Sequence, residues 1–380
     1  MYNNVVEVVQ NCFKSSEFIP LHEPRFIGNE KTYLNECIDS TFVSSVGKFV
    51  DRFEDLMCQT TGAEFAVATV NGTSALHIAL ILAGVEKNSE VITQALTFVA
   101  TANAISYIGA EPNFVDVDKD SLGINPQKLA AYFDRIIKMR DGKPFNKRSG
   151  KRISACVPMH TFGFPSKIEE IVSICDAYNI PVVEDAAESL GAEYNGIHTG
   201  TFGLLGTFSF NGNKTITCGG GGCIVTNDET LAKKAKHITT TAKVPHRWAY
   251  EHDQVGYNYR LPNLNAALAC AQLEQLPKFI ENKRKLASEY VQAFESIDSI
   301  DFFTEKKGTK ANYWLNTILL NNIDERNKFL EQTNNAGVMT RPVWELMSEL
   351  EMFKHFESDD LSVSRWLAER IVNIPSSVRI

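Results

Sequence analysis

The chain has 380 residues, 44% of them hydrophobic, which is enough apolar sequence for a sizeable core and for two domains. Its 38 Lys and Arg against 46 Asp and Glu leave a formal charge of −8. That excludes the broad basic face needed for nucleic acid or an anionic membrane, while a local basic pocket for a small anion stays open.

In chain order, a short amphipathic start and a turn region, PLHEPRF, lead into a helix expected over Glu30–Ser40 with Asn29 as N-cap. The start has no cationic stretch running into an apolar core, so no secretory signal is expected. From Phe65 the pattern becomes strand, helix, strand. AVATV (66–70), EVIT (90–93) and EPNFVDV (111–117) are expected strands, and Ser74–Ala83 and Thr97–Ile108 the helices between them. ISACVPM (153–159) and PVVED (181–185) flank a helix at Ile168–Tyr178, and the polar, basic stretch Arg140–Arg152 reads as a solvated loop. The longest apolar stretch, roughly Leu76 to Val85, is too short for a membrane span.

Past Gly222 come a strand (CIVTN), a helix over Glu229–Thr240 and two helical runs, Pro262–Gln275 and Lys278–Phe294. From about Ser299 shorter elements follow: ANYWLNTILL, Glu325–Ala336 and the terminal Leu361–Ile374. Short apolar strands alternating with helices predict an α/β fold with a large, mainly parallel sheet covered on both faces, and a smaller C-terminal α+β domain. The expected division is 1–258 for the N-terminal segment and large domain, and 259–380 for the connecting helices and small domain. Eight cysteines lie scattered with no CxxC pair and no clustered histidines. Free thiols in a reducing cytoplasm are therefore expected, with no bound metal.

Three segments carry chemistry. In FSFNGNKTITCGGGG (208–222), Lys214 follows a strand-like run and precedes four glycines. Alone this is either an exposed lysine before a flexible turn or a nucleotide-phosphate loop, although GxxxxGK[ST] is absent. VVEDAAE (182–188) puts Asp185 at the end of an expected parallel strand, where α/β sheets place ligands; alone it reads first as a cap for the next helix. An Asp that pairs with a pyridinium nitrogen and a Lys that forms a Schiff base are what pyridoxal phosphate asks of a protein. VNGTSALH (70–77) sets Gly72, Thr73 and Ser74 at a strand-to-helix turn, where free N–H groups would hold a phosphate or simply cap a helix.

In this order the three segments resemble the fold-type I pyridoxal-phosphate aminotransferases of the DegT/DnrJ/EryC1/StrS group, which act on nucleotide-linked keto-sugars. LTFVATANAI, PMHTFGFP and GYNYRLPNLNAALACAQLEQL extend the resemblance over nearly the whole chain. It implies Lys214 as the Schiff-base lysine, Asp185 as the ring-nitrogen partner and Glu188 beside the ring hydroxyl, where many relatives have Gln or His. Gly72, Thr73, Ser74 and Ser209 would hold the phosphate and Phe98 would lie against the ring. Asn258 would reach the phosphate of a neighbouring subunit, implying a homodimer with shared active sites.

His160 is placed near the ring by the resemblance, while a lone His after an apolar strand is as readily structural. Arg260 would meet a diphosphate or brace the dimer, and His77 reads as core. By the same resemblance His246 and Trp248 lie in or before the subunit-crossing region, and Ser44–Lys48 and the Lys243–Arg247 loop are further candidates for sugar-nucleotide contacts.

The activity implied is transfer of an amino group from L-glutamate to a nucleotide-diphosphate keto-sugar, for surface-glycan synthesis in bacteria. Retention of Lys214, which dehydratases of the group replace by His, favours amino transfer. The nearest branch by resemblance makes 4-amino-4,6-dideoxy-N-acetylhexosamines on UDP, of legionaminic-acid or bacillosamine type. The alternatives are the perosamine-type branch, which aminates GDP-4-keto-6-deoxymannose and generally has Glu in the glycine run, and TDP-keto-sugar enzymes acting at C3 or C4. A non-catalytic sugar-nucleotide binder would be expected to lose Lys214 or Asp185, and both are present.

Overall fold

A computed structural model describes residues 2–295 and 297–379. Its central sheet is built from β1 (Phe65–Thr69), β2 (Glu90–Gln94), β3 (Glu111–Val115), β4 (Ile153–Val157), β5 (Val183–Asp185), β6 (Leu205–Ser209) and β7 (Gly222–Thr226). Their spatial order is β3-β2-β4-β5-β6-β7-β1, with β4 joined to β5 through single bridges at Cys156–Val182 and Met159–Asp185. The strands from β3 to β6 are parallel, as the strand–helix alternation predicts, whereas β7 runs antiparallel to both β6 and β1. A parallel return needs a crossover, usually a helix. Residues 210–221 contain none, so the chain comes back reversed.

The Gly72–Leu82 helix lies deepest against this sheet and is apolar on nearly every side, with Ser74 through Leu80 all buried. Its first turn is fixed by the Asn71 side chain, which accepts the Ser74 N–H at 2.7 Å, so the helix starts two residues before the expected Ser74. Two helices the sequence pattern did not mark, Lys48–Thr61 and Pro126–Ile136, cover other parts of the core. The second carries the ordinary start signals, an Asn125 cap accepting the Lys128 N–H followed by Pro at the first position.

Arg140–Arg152 is not simply a loop. Ile137–Arg140 pairs with Lys143–Asn146 in a hairpin whose turn, Asp141-Gly142, has φ of +49° and +73°. Two consecutive left-handed residues match the right-handed twist of the flanking strands, which is why Asp-Gly favours such hairpins.

The C-terminal region holds an antiparallel sheet ordered Ile300–Phe302, Asn316–Leu320, Ile371–Ile374, Arg341–Pro342. The terminal run Leu361–Ile374 divides into a short helix, Ser362–Ala368, and the Ile371–Ile374 strand. The N-terminal helix Asn3–Phe13 packs here, with Val5, Val6 and Val9 against Leu286, Tyr290 and Phe329. Sequence order groups that helix with the first region, but its apolar face is covered by the last. Among the described residues no helix is long and apolar enough to cross a membrane, all eight cysteines are free and no cluster of metal-ligating side chains occurs.

Candidate active site

A cavity of about 320 Å³ opens at the carboxyl ends of β4, β5 and β6, the end of a parallel sheet where ligands bind. It is lined by Gly72, Thr73, Phe98, Asp185, Glu188, Ser209 and Lys214, so the fold brings together seven of the residues picked out from four distant sequence segments.

Asp185 is the last residue of β5 and is almost wholly buried. Its Oδ2 accepts the Thr101 hydroxyl at 2.7 Å and its Oδ1 the Ala187 N–H at 3.2 Å. Glu188, in the turn beyond, accepts the Phe162 N–H at 2.8 Å and the Lys214 ammonium at 3.2 Å. Burial pushes its carboxyl up from 4.5 to about 7, against the opposing pull of Lys214. Lys214 stands in the turn after β6, with Nζ 4.1 Å from the centre of the Trp314 ring. The Trp314 indole N–H donates to the Asn213 carbonyl at 2.6 Å, tying ring and lysine turn together.

At the opposite end, the first turn of the Gly72–Leu82 helix lies against the end of β6. A Cβ on Gly72 would stand 2.7 Å from the Ser209 Cβ. The first N–H groups of a helix have no partner inside it, so this close approach delivers a positive helix end to the cavity beside the Thr73 and Ser209 side chains. The glycine run serves the same geometry rather than forming a phosphate loop: a Cβ on Gly222 would fall 2.3 Å from the Asn71 carbonyl oxygen. We expect Gly72→Ala to force the helix start away from β6, costing about 1–3 kcal/mol of stability. A thermal melt of the cofactor-free protein measures that cost, and a cofactor titration should show weakened affinity.

Residues 25–380 match the DegT/DnrJ/EryC1/StrS aminotransferase family. The chain belongs to that family. It is 36% identical over 365 residues to the GDP-perosamine synthase of Escherichia coli O157:H7, covering 95% of this chain and 93% of that one. It is also 36% identical over 362 residues to a Bacillus subtilis (strain 168) protein, EpsN, which bears the provisional name of a pyridoxal phosphate-dependent aminotransferase; the match covers 94% and 90% of the two chains. A crystal structure of a family aminotransferase from Brucella abortus superposes with a TM-score of 0.83 at 26% identity, covering 92% and 90%. The fold is therefore that of the fold-type I pyridoxal-phosphate enzymes, and the protein is a pyridoxal-phosphate-dependent sugar aminotransferase.

The cavity suits that cofactor by its donor set. Phosphate needs a positive helix end and hydroxyls, ring nitrogen a carboxylate, aldehyde an amine, and each lies on a different wall of one pocket. Phe98, which is 46% exposed, supplies an aromatic wall and leans on Trp344 with ring centres 5.9 Å apart.

Other predicted residues lie outside this cavity. Ser74 is buried one residue into the helix, behind Thr73. His160 is wholly buried and faces away; its Nδ1 accepts the Ser166 N–H at 3.1 Å, so Nε2 carries the proton and donates to Glu184 at 2.9 Å. The ring is held by those contacts together with the Ser166 hydroxyl, 3.1 Å from Nδ1, and its neighbour Met159 is the residue that lines the pocket. His77 packs among Tyr107, Tyr257 and Tyr259, where burial holds its imidazole below the usual histidine range. Asn258 and Arg260 do not line their own chain's cavity; Asn258 is exposed and bridges to Thr240. Ser44–Lys48 packs on Asn263, and His246 and Trp248 contact each other on an exposed loop where Lys243 covers the Tyr250 ring. Trp314 and Trp344, both in the cavity wall, escaped the sequence reading. They come from the C-terminal region, and their neighbouring residues carry no motif.

Proposed function

We propose that the protein transfers the amino group of L-glutamate to the C4 keto carbon of a GDP-linked 4-keto-6-deoxy sugar, releasing 2-oxoglutarate. The observation that carries the chemistry is Lys214 paired with a buried carboxylate in the cavity that Asp185 and a helix N-terminus also line. The GDP assignment is supported by 36% identity to a GDP-perosamine synthase across almost the full length of both chains. It takes up the perosamine-type alternative in preference to the UDP-linked N-acetylhexosamine that motif resemblance put first. The UDP reading keeps one observation in its favour, the run Gly219–Gly222, which contains no Glu.

Bound pyridoxal phosphate supplies an electron-accepting ring that stabilises negative charge at the substrate carbon. The chain's own groups divide the remaining work. Lys214 would hold the cofactor through its aldehyde, and its Nζ would be the group that carries the substrate's α-proton. Asp185 would keep the ring nitrogen positively charged, and Glu188 would serve the ring hydroxyl. Gly72, Thr73 and Ser209 would hold the phosphate, and Phe98 would supply an aromatic wall for the ring. One site serves both halves of the reaction, so kinetics are ping-pong. Asn258 and Arg260 serve the site of a second copy of the chain. Supporting this, neither lines the cavity of its own chain, and both lie close in sequence to the exposed Trp248, Tyr250 and Val255.

The test is a visible spectrum of the purified enzyme with pyridoxal phosphate. Its yellow band should bleach with L-glutamate and return with GDP-4-keto-6-deoxymannose. Return only with a UDP-linked 4-keto-6-deoxy-N-acetylhexosamine would transfer the substrate assignment, and failure to bleach with glutamate would remove the donor assignment.

Glu188 also predicts a pH dependence. In the cofactor-free protein its carboxyl is raised from 4.5 to about 7. Between those values the folded chain keeps a proton that the unfolded chain has released, so stability falls as pH rises through the window, by at most about 3 kcal/mol. Glu188→Gln should flatten this slope in melts of the cofactor-free protein between pH 4.5 and 8. An unchanged slope would locate the titrating group elsewhere.

A further inference from the structure

Asp185 is held by more than its own strand. Thr101 donates its hydroxyl to Asp185 Oδ2 at 2.7 Å, and the Thr97 hydroxyl lies 2.8 Å from Thr101 Oγ1 and 2.9 Å from the Met159 sulfur. Both threonines are completely buried. We propose that Thr97 and Thr101 form a hydroxyl relay that positions Asp185 for the cofactor ring, with Thr101 the residue that sets the carboxylate's orientation. The proposal rests on the reading of Asp185 as the ring-nitrogen partner.

Proton counting gives the relay its direction. Each hydroxyl has one proton. An ionised carboxylate can only accept, so the Thr101 proton points at Asp185. The Thr101 oxygen is then free to accept from Thr97, whose proton has Thr101 or the thioether as acceptor. Asp185 Oδ1 is engaged by the Ala187 N–H, and the backbone on either side is fixed by Asp185 N–H donating to the Pro158 carbonyl and the His160 N–H donating to the Asp185 carbonyl. With the main chain so fixed, rotation of the carboxylate is the freedom left, and the Thr101 hydrogen bond removes it. Thr101 belongs to the Val99–Tyr107 helix, which begins directly after Phe98. The same bond therefore ties the aromatic wall of the cavity to its acidic wall.

Thr101→Val keeps the shape and deletes the donor, while Thr97 can still donate to Met159, so the variant leaves no hydroxyl proton stranded. Three readouts apply: the cofactor dissociation rate, the pH midpoint of the visible band, and the rate of bleaching by L-glutamate. Because hydrogen bonds to charged groups are among the stronger ones, Thr101→Val should release cofactor and slow bleaching by about tenfold each. It should also shift the band's pH midpoint. Thr101→Ser, which restores the hydroxyl without the methyl, should recover to within about twofold, and Thr97→Val should show a smaller loss than Thr101→Val. Asp185→Asn is the control. If Asp185→Asn is impaired while Thr101→Val matches wild type in all three readouts, the relay is overturned. If Thr101→Ser is as poor as Thr101→Val, the methyl packing matters and the relay is again overturned. If Asp185→Asn itself behaves as wild type, the reading of Asp185 fails instead.

Discussion

Lys214→Ala is expected to abolish the yellow band formed with pyridoxal phosphate and to lower turnover by about 10⁴-fold, the upper range for losing a positioned proton-transfer group. The structure argues that this loss is chemical and not a failure to fold. Removing Lys214 strands Glu188 in a buried site, ordinarily a costly outcome for a carboxylate. The Glu188 carboxyl, however, is already pushed up to about 7, and it keeps the Phe162 N–H as a partner. Without the ammonium it simply holds its proton, so the melting temperature near pH 7 should change little. Trp314 loses the cation over its ring but keeps its indole bond to Asn213. A Lys214→Ala protein that still forms the band, or that retains turnover with L-glutamate and a keto-sugar, would take the reaction away from this residue.

The site was legible in the sequence where its residues sit on short local signals. A strand ending in an acid, a Gly-Thr helix start and a lysine before a glycine run each reflect backbone geometry that few residues satisfy, and Asp185, Gly72, Thr73 and Lys214 line the cavity. Legibility ended where the chain leaves those local frames. Trp314 and Trp344 reach the cavity only because the C-terminal region folds back over the sheet, and nothing beside them in sequence encodes that return. The docking of Asn3–Phe13 onto Leu286 and Tyr290 is hidden for the same reason. For His160 the sequence left a site role and a structural role open. A histidine next to a cavity residue in sequence points the other way, because successive residues of an extended chain alternate sides. The hairpin at 137–146 was encoded by Asp141-Gly142, but its flanking charges obscured the signal.

Asp185→Asn tests charge separately from shape. Asparagine is nearly isosteric with aspartate and can meet both local partners: its Oδ1 accepts from the Ala187 N–H, and its Nδ2 faces the Thr101 oxygen, which can turn from donor to acceptor. Thr101 would then give its proton to Thr97, and Thr97 its own to Met159, both already within reach. The buried wall thus stays satisfied, and only the negative charge facing the ring nitrogen is gone. Preorganised charge in a water-poor site supplies stabilisation that solvent cannot replace, so the rate of bleaching by L-glutamate should fall by about 10²–10³-fold. Cofactor should still bind through the helix end and Lys214, leaving faster than from wild type because the ring-nitrogen contact is weakened. Stopped-flow absorbance separates the two effects: a slowed bleaching step with the band intact fits an electrostatic role. Loss of the band itself would mean that Asp185 chiefly holds the cofactor in place. A bleaching rate equal to wild type would show that the ring nitrogen finds its charge partner elsewhere in the cavity, where Glu188 is the other carboxylate.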